Sequence, residues 1–399
     1  MPTPHYWLND LRKNRNNLEW FEQNERFLRE DLWLGLENPR DRGLFTQVLI
    51  EALPFLAATH HLAAWRELIQ HVLNNVVDFL QSHTLQCAVL NAIGYFHLLC
   101  SDKAEAVSVY NAAQLFTKES DVYSENIKTV IGFLWLQSYP GVTDLDVSRI
   151  PDLLNFHPDE RPYELTIRLH QAIAAACNQW RQFQTAIYYA ELALKYWSTR
   201  PKTDKTSQVE KGRTEHILSI AYRELGDHAR ADVYRERAAD TLSKTGYVWQ
   251  HSAMAFEYGR HFLEAGNYEA ATLWYRTALY EGLKLDDSLR LQRIYHGLGL
   301  VLSLQCDLEK LDEGHQQLQE ALKLAEHENQ KEDIIHIRHT LAFNSAQHGD
   351  FETALREIRY GLTLCEDIDD LDKRALLMKP YQELQQMMDT NDPRLCQWV

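Results

Sequence analysis

The chain is 399 residues long, with 57 acidic against 41 basic side chains and a formal net charge of −16. A field of that sign repels polyanions and argues against nucleic acid or an anionic membrane as partner. With 45% hydrophobic and 11% aromatic residues, the chain is too apolar to remain disordered.

The opening stretch "HYWLNDLRKNRNNLEWFEQNERFLREDLWLGL" reads as one or two amphipathic helices that turn Trp7, Trp20, Phe21, Phe27 and Trp33 toward an apolar neighbour. Residues 1–43 are therefore expected to form an N-terminal helical cap or docking helices. From residue 44 a pattern of small and aromatic residues begins to recur. "LIEALPFLAATHHLAAWRELIQHVL" places Ala52, Phe55 and Ala64, and "IGYFHLLCSDKAEAVSVYNAA" places Ile93, Gly94, Ala106, Tyr110 and Ala113 around a turn at Ser101. "YSENIKTVIGFLWLQSY" reads as a first helix whose partner, near "SRIPDLLNF", is broken by prolines. "IAAACNQWRQFQTAIYYAELA" supplies Ala174, Ala186, Ala190 and Ala193. The polar run "STRPKTDKTSQVEKGR", Ser198 to Arg213, is expected to be a mobile loop or hinge.

The pattern is fullest downstream. "HILSIAYRELGDHARADVYRERA" carries Leu218, Ser219, Tyr222, Gly226, Ala231 and Ala238. "YGRHFLEAGNYEAATLWYRTAL" carries Tyr258, Gly259, Phe262, Gly266, Ala271, Tyr275 and Ala278. A weaker copy has Leu298, Gly299 and Ala321, and "LAFNSAQHGDFETALREIRYG" has Leu341, Ala342, Gly349, Ala354, Ile358 and Gly361. Residues 368–399 are expected to be a capping helix, from Asp370 to Thr390, and a tail, "NDPRLCQWV".

Each copy describes a helical hairpin: a glycine ends the first helix, small residues let the second approach it closely, and large aromatics fill the space around the crossing. The spacing resembles the tetratricopeptide repeat family, whose unit of roughly 34 residues has Leu-Gly and Tyr on its first helix, a Gly turn, and Ala, aromatic, Ala on its second. The resemblance implies an all-α fold, a right-handed superhelical α-solenoid, with about eight units over residues 44–367, some of them degenerate. It also implies a concave wall built by the first helices. In family register the wall positions are Arg168, Gln171 and Asn178; then Arg213, His216 and Arg223; then Glu257 and Arg260 beside Glu264; then Arg293 and His296; and finally His336 and His339. If those charges are unpaired, the wall suits an acidic peptide or a C-terminal carboxylate; if acids on adjacent helices pair them, it is structural. Chaperone-binding members clamp a carboxylate with asparagine and lysine, whereas the matching positions here hold Ala175, Ile220 and Arg260.

Catalytic motifs are missing: no phosphate-binding GxxxxGK[ST], no GxGxxG after a strand, no HExxH and no GxSxG occurs. The six cysteines, Cys87, Cys100, Cys177, Cys306, Cys365 and Cys396, form no CxxC pair and read as reduced thiols. His60 and His61 sit at a turn, His336 and His339 share a helix face but supply only two of the three or four ligands a metal needs, and "DIDDLDK", Asp367 to Lys373, lacks the glycine and terminal glutamate of a calcium loop. The sequence thus points to a non-enzymatic cytoplasmic protein without metal or cofactor, binding another protein or peptide as adaptor, sensor or regulatory subunit. A ligand-switched peptide sensor, or the regulatory subunit of a protease or ATPase carried on another chain, are the alternatives, and oligomeric state is not legible.

Overall fold

The computed structural model describes residues 3–15, 17–56, 62–80, 82–99, 103–117, 123–137, 163–285, 287–367 and 371–390. These hold eighteen helices and no strand. In chain order they are α1 (Pro4–Lys13), α2 (Leu18–Glu37), α3 (Arg42–Leu56), α4 (Leu62–Phe79), α5 (His83–Leu99), α6 (Lys103–Thr117), α7 (Tyr123–Gln137), α8 (Tyr163–Gln179) and α9 (Phe183–Trp197). There follow α10 (Lys205–Glu224), α11 (His228–Ser243), α12 (Val248–Glu264), α13 (Tyr268–Gly282), α14 (Ser288–Ser303), α15 (Leu308–His327), α16 (Lys331–Gln347), α17 (Phe351–Asp367) and α18 (Leu371–Thr390). The chain divides into two compact units, Met1–His251 and Ser252–Val399. None of the described helices is long and apolar enough to cross a membrane. The Ser101 turn, "SRIPDLLNF", the "NDPRLCQWV" tail, His60, His61, Cys100, Cys396 and the middle of "DIDDLDK" lie outside the described residues.

Hairpins follow from local chemistry at their turns. Gly226, Gly266 and Gly349 have φ of +81°, +72° and +81°, a region that costs other residues about 1–2 kcal/mol. Each is followed by Asp or Asn whose side chain accepts the backbone N–H three residues on: Asp227 from Arg230 at 3.1 Å, Asn267 from Ala270 at 3.2 Å and Asp350 from Thr353 at 3.0 Å. One dipeptide thus ends a helix and starts the next. The weaker copies use the same backbone geometry without glycine, at Arg181 and Cys306, and Asn329 adopts it between hairpins, after α15.

Between the helices, the spacing works through two tyrosines. A Cβ built on Gly94 would lie 2.7 Å from the Tyr110 ring, and one on Gly132 2.2 Å from it. In the second unit, Gly259 and Gly297 flank Tyr275 in the same way, at 2.8 and 2.6 Å. Each ring, 2% exposed, therefore fills the space that two absent side chains leave, one on its own hairpin and one on the next first helix. Ala106, Ala113, Ala238, Ala271, Ala278 and Ala354 are wholly buried, and Ala231 and Tyr222 nearly so, while Phe262 packs at the edge of the Tyr275 cluster.

At the N-terminus the aromatics divide. Trp7 is buried and donates through Nε1 to Asp31 at 2.9 Å, and Phe21 stacks on Phe55 with ring centroids 4.7 Å apart. Phe27 and Trp33 remain exposed, with Trp33 against His71. The expected loop over residues 198–213 is shorter than the sequence suggests, because α10 already begins at Lys205. Asp204 caps it by accepting from the Ser207 backbone N–H and hydroxyl, and Gly212 packs directly on Leu242, which anchors the supposedly polar stretch.

Gly132→Ala and Gly297→Ala should each destabilise the protein by about 1–3 kcal/mol in chemical denaturation, despite alanine's better helix propensity. Gly43→Ala, whose Cβ would meet only Leu85 at 3.9 Å, serves as the control and should be neutral or stabilising. Equal midpoints for all three would overturn the role assigned to the tyrosine rings.

Candidate functional site

The first helices of each unit place the wall residues, and in the first unit most of their polar groups are already engaged. Gln171 on α8 is buried and its Nε2 donates to the Glu210 carbonyl on α10 at 3.0 Å. One heptad on, Asn178 donates to the Ile217 carbonyl, also at 3.0 Å. Two amides seven residues apart thus meet two carbonyls seven residues apart, which locks α8 and α10 in register. Asn91 on α5 does the same to the Glu125 carbonyl on α7 at 3.0 Å.

The wall arginines of this unit, Arg168, Arg213 and Arg223, are paired. Arg168 reaches Glu164 at 3.3 Å and Glu210 at 3.2 Å, with its guanidinium 5.9 Å from the Trp197 ring. Arg213 shares Glu210 at 3.6 Å, donates to the Tyr95 hydroxyl at 3.3 Å and lies 5.7 Å from the Trp135 ring. Burial opposes the Arg168 charge, but Glu210 and Glu164 outweigh it and hold its pKa above the ordinary value. One carboxylate, Glu210, 8% exposed, therefore bridges two guanidinium groups, with Glu164 supplying the second negative charge, beside aromatic rings. Arg223 is paired with its neighbour Glu224, and His216 is half-buried on α10.

In the second unit Arg260 is held between Glu257 at 2.8 Å and Glu264 at 2.7 Å. Arg293, half-buried on α14, has no ion pair or hydrogen bond among the described residues. Three residues along, His296 Nε2 lies 2.8 Å from the Thr340 hydroxyl on α16. That hydroxyl spends its single proton on the His336 carbonyl at 3.1 Å, so His296 must be the donor and carries its proton on Nε2. His339 Nε2 is buried and has no hydrogen-bond partner among the described residues. Burial, then the charges that His336 and His339 would carry, push His296 down to about 4; burial and then His336 push His339 to about 4 as well. Both imidazoles are neutral near pH 7.

No group of three or more His, Cys, Asp or Glu among the described residues is arranged to hold a metal ion. The thiols of Cys87 and Cys177 are pushed up to about 11, chiefly by burial, which keeps them protonated and unreactive. The repeat register picks out the arginines from the sequence but not their partners Glu210 and Tyr95, nor Trp135 or Thr340. The signal for Glu210 was present: an acid three residues before Arg213 repeats the spacing of Glu257 and Arg260.

The histidines impose a pH dependence. With folded values near 4 against an unfolded value near 6.5, the unfolded chain takes up protons first, so stability is lost as pH falls from about 6.5 toward 4. His339→Gln should reduce that loss, between pH 7 and 4.5, by on the order of 1–2 kcal/mol, read from denaturation midpoints of variant and wild type. Parallel losses would show that His339 is solvated.

No protein-family model and no curated protein matches the chain. Among solved structures it matches the crystal structure of a Rap protein complexed with Competence and Sporulation Factor, at 12% identity and a TM-score of 0.51, covering 97% of this chain and 99% of that one. It also matches aspartyl phosphate phosphatase F from Bacillus subtilis, at 14% identity and a TM-score of 0.46, covering 75% of this chain and 78% of that one. At such identity the likeness is one of fold: over nearly its whole length the chain has the helical-repeat fold of the Rap protein.

Proposed function

We propose that the chain is a regulatory binding protein with no chemistry of its own, which takes a peptide or a segment of another protein against the faces of its first helices. One observation carries this reading. The fold it shares end to end is that of a Rap protein whose structure holds Competence and Sporulation Factor. The state of the candidate nucleophiles and bases fits a binding role, since the buried thiols are protonated and the His296 and His339 imidazoles are shielded and neutral.

A ligand-switched form of this reading is favoured over a passive adaptor by the Tyr95–Arg213 contact. It joins α5 to α10, with α6, α7, α8 and α9 among the helices between them in the chain. A ligand entering that face must either break this contact or be organised by it. A strongly acidic partner along the whole wall is disfavoured, because Arg168, Arg213, Arg223 and Arg260 already have acids beside them.

Photo-cross-linking tests the assignment. A benzophenone amino acid at Arg293, on a first helix, should capture a partner from native lysate that the same probe at Tyr280, exposed on a second helix, does not. Capture at Tyr280 alone would move the interface to the second helices.

A further inference from the structure

We propose that Arg293, His296, His336 and His339 form a carboxylate-binding subsite in the unit Ser252–Val399, and that occupancy of this subsite is coupled to proton uptake. The inference deepens the binding role proposed above, which supplies the source of the carboxylate: an acidic side chain or the C-terminus of a bound segment.

Placement comes first. Arg293 and His296 are three residues apart on α14, and His336 and His339 three apart on α16, so each pair shares a helix face. The His296–Thr340 hydrogen bond brings the two helices together at that level. Arg293 differs from every other arginine of the wall: it has no ion pair among the described residues, whereas Arg168, Arg213, Arg223 and Arg260 each have one. His339 adds a buried Nε2 with no partner there. Buried polar atoms are rarely left unsatisfied in folded proteins, and imidazole nitrogens together with an uncommitted guanidinium one helical turn from His296 are a donor set suited to a carboxylate.

The surrounding charges leave this patch short of anions. On α14, Arg290 is paired with Asp287, just before the helix. On α12, Glu257 and Glu264 are committed to Arg260. On α16, Glu332 is bound by Lys373 of α18, and Arg338 by Glu326 of α15 and Glu357 of α17. Asp333 is the one carboxylate of α14, α16 and the Ser252–Glu264 part of α12 without an ion pair among the described residues, and Glu269, Glu309 and Glu352 stand the same way at the starts of the flanking α13, α15 and α17; no carboxylate acts on the two histidines, which are lowered by burial, by His336 and, for His296, by His339. An arriving carboxylate would supply the missing counter-charge, favour the imidazolium form, and draw a proton from solvent onto a ring nitrogen. By linkage its affinity must then rise as pH falls, by up to about tenfold per pH unit for each proton taken up.

The test uses the full chain with isotope-labelled histidine, observed by NMR between pH 7.5 and 5.5. Three probes are added at matched ionic strength: amidated pentaglutamate, which offers side-chain carboxylates; pentaalanine with a free C-terminus; and pentaalanine amide. The expected result is movement of the His296 and His339 ring signals toward the imidazolium position with one or both acidic probes and not with the amide. Their pKa should rise on binding, and affinity should strengthen several-fold toward pH 5.5. Which acidic probe acts identifies the source of the carboxylate. Arg293→Gln should abolish the response while leaving the denaturation midpoint near wild type. Unmoved ring signals with both acidic probes, or equal movement with the amide, would overturn the subsite. If cross-linking at Arg293 still captured a partner in that case, the binding role would stand without it; if that failed too, both readings would fall.

Discussion

A tyrosine ring seated between two glycines is the interaction on which the rest of this structure depends. Tyr110 and Tyr275 occupy volumes that no Cβ can share: both glycines facing each ring would place a methyl group inside its van der Waals envelope. Because one glycine belongs to the same hairpin and the other to the next first helix, a single side chain sets two distances at once. Burial of the ring supplies the energy, and the missing side chains supply the shape. Burial also raises the pKa of both phenols, so neither ring brings a charge into the crossing.

Fixing first helices this closely has a polar consequence. Backbone carbonyls of one first helix come within reach of amides on the previous one, and Gln171, Asn178 and Asn91 use that reach. The same proximity confines long cations. Arg168 and Arg213 cannot extend into water without leaving aromatic surface, so they share Glu210 and lie over Trp197 and Trp135. In the first unit the wall is thus held together largely by the side chains that a ligand would otherwise use.

The hairpins were legible in the sequence because a hairpin is short: glycine, alanine and aromatic positions that touch lie within about one repeat of each other. The fold class followed from them. Gly132 and Gly297 escaped notice because each works against a ring of the preceding hairpin, a contact that no single repeat displays. The polar run before α10 looked like a loop by composition, yet Asp204 is a helix cap and Gly212 an apolar contact, both functions of position rather than polarity. For the candidate site, residue types and helix faces could be read but pairing could not. A basic track and a neutralised one differ only in whether an acid such as Glu210 comes within 4 Å, and that depends on how successive hairpins stack.

Polar groups on the first helices are neutralised in two ways, by pairing of guanidinium groups in both units and by neutral imidazoles in the second. A guanidinium held against aromatic surface keeps a standing counter-ion, because losing it would leave a poorly solvated charge; Glu210 fills that role for Arg168 and Arg213 in the first unit. An imidazole has another option: it sheds its proton and remains neutral, at a cost set only by how far its pKa falls. His296 and His339 have taken that option. A wall of paired arginines meets a new anion with charges already neutralised, so binding must break something. The neutral histidines His296 and His339 meet it with charge in reserve, supplied by solvent protons at the moment of contact, and on this asymmetry rests the carboxylate subsite proposed for the second unit.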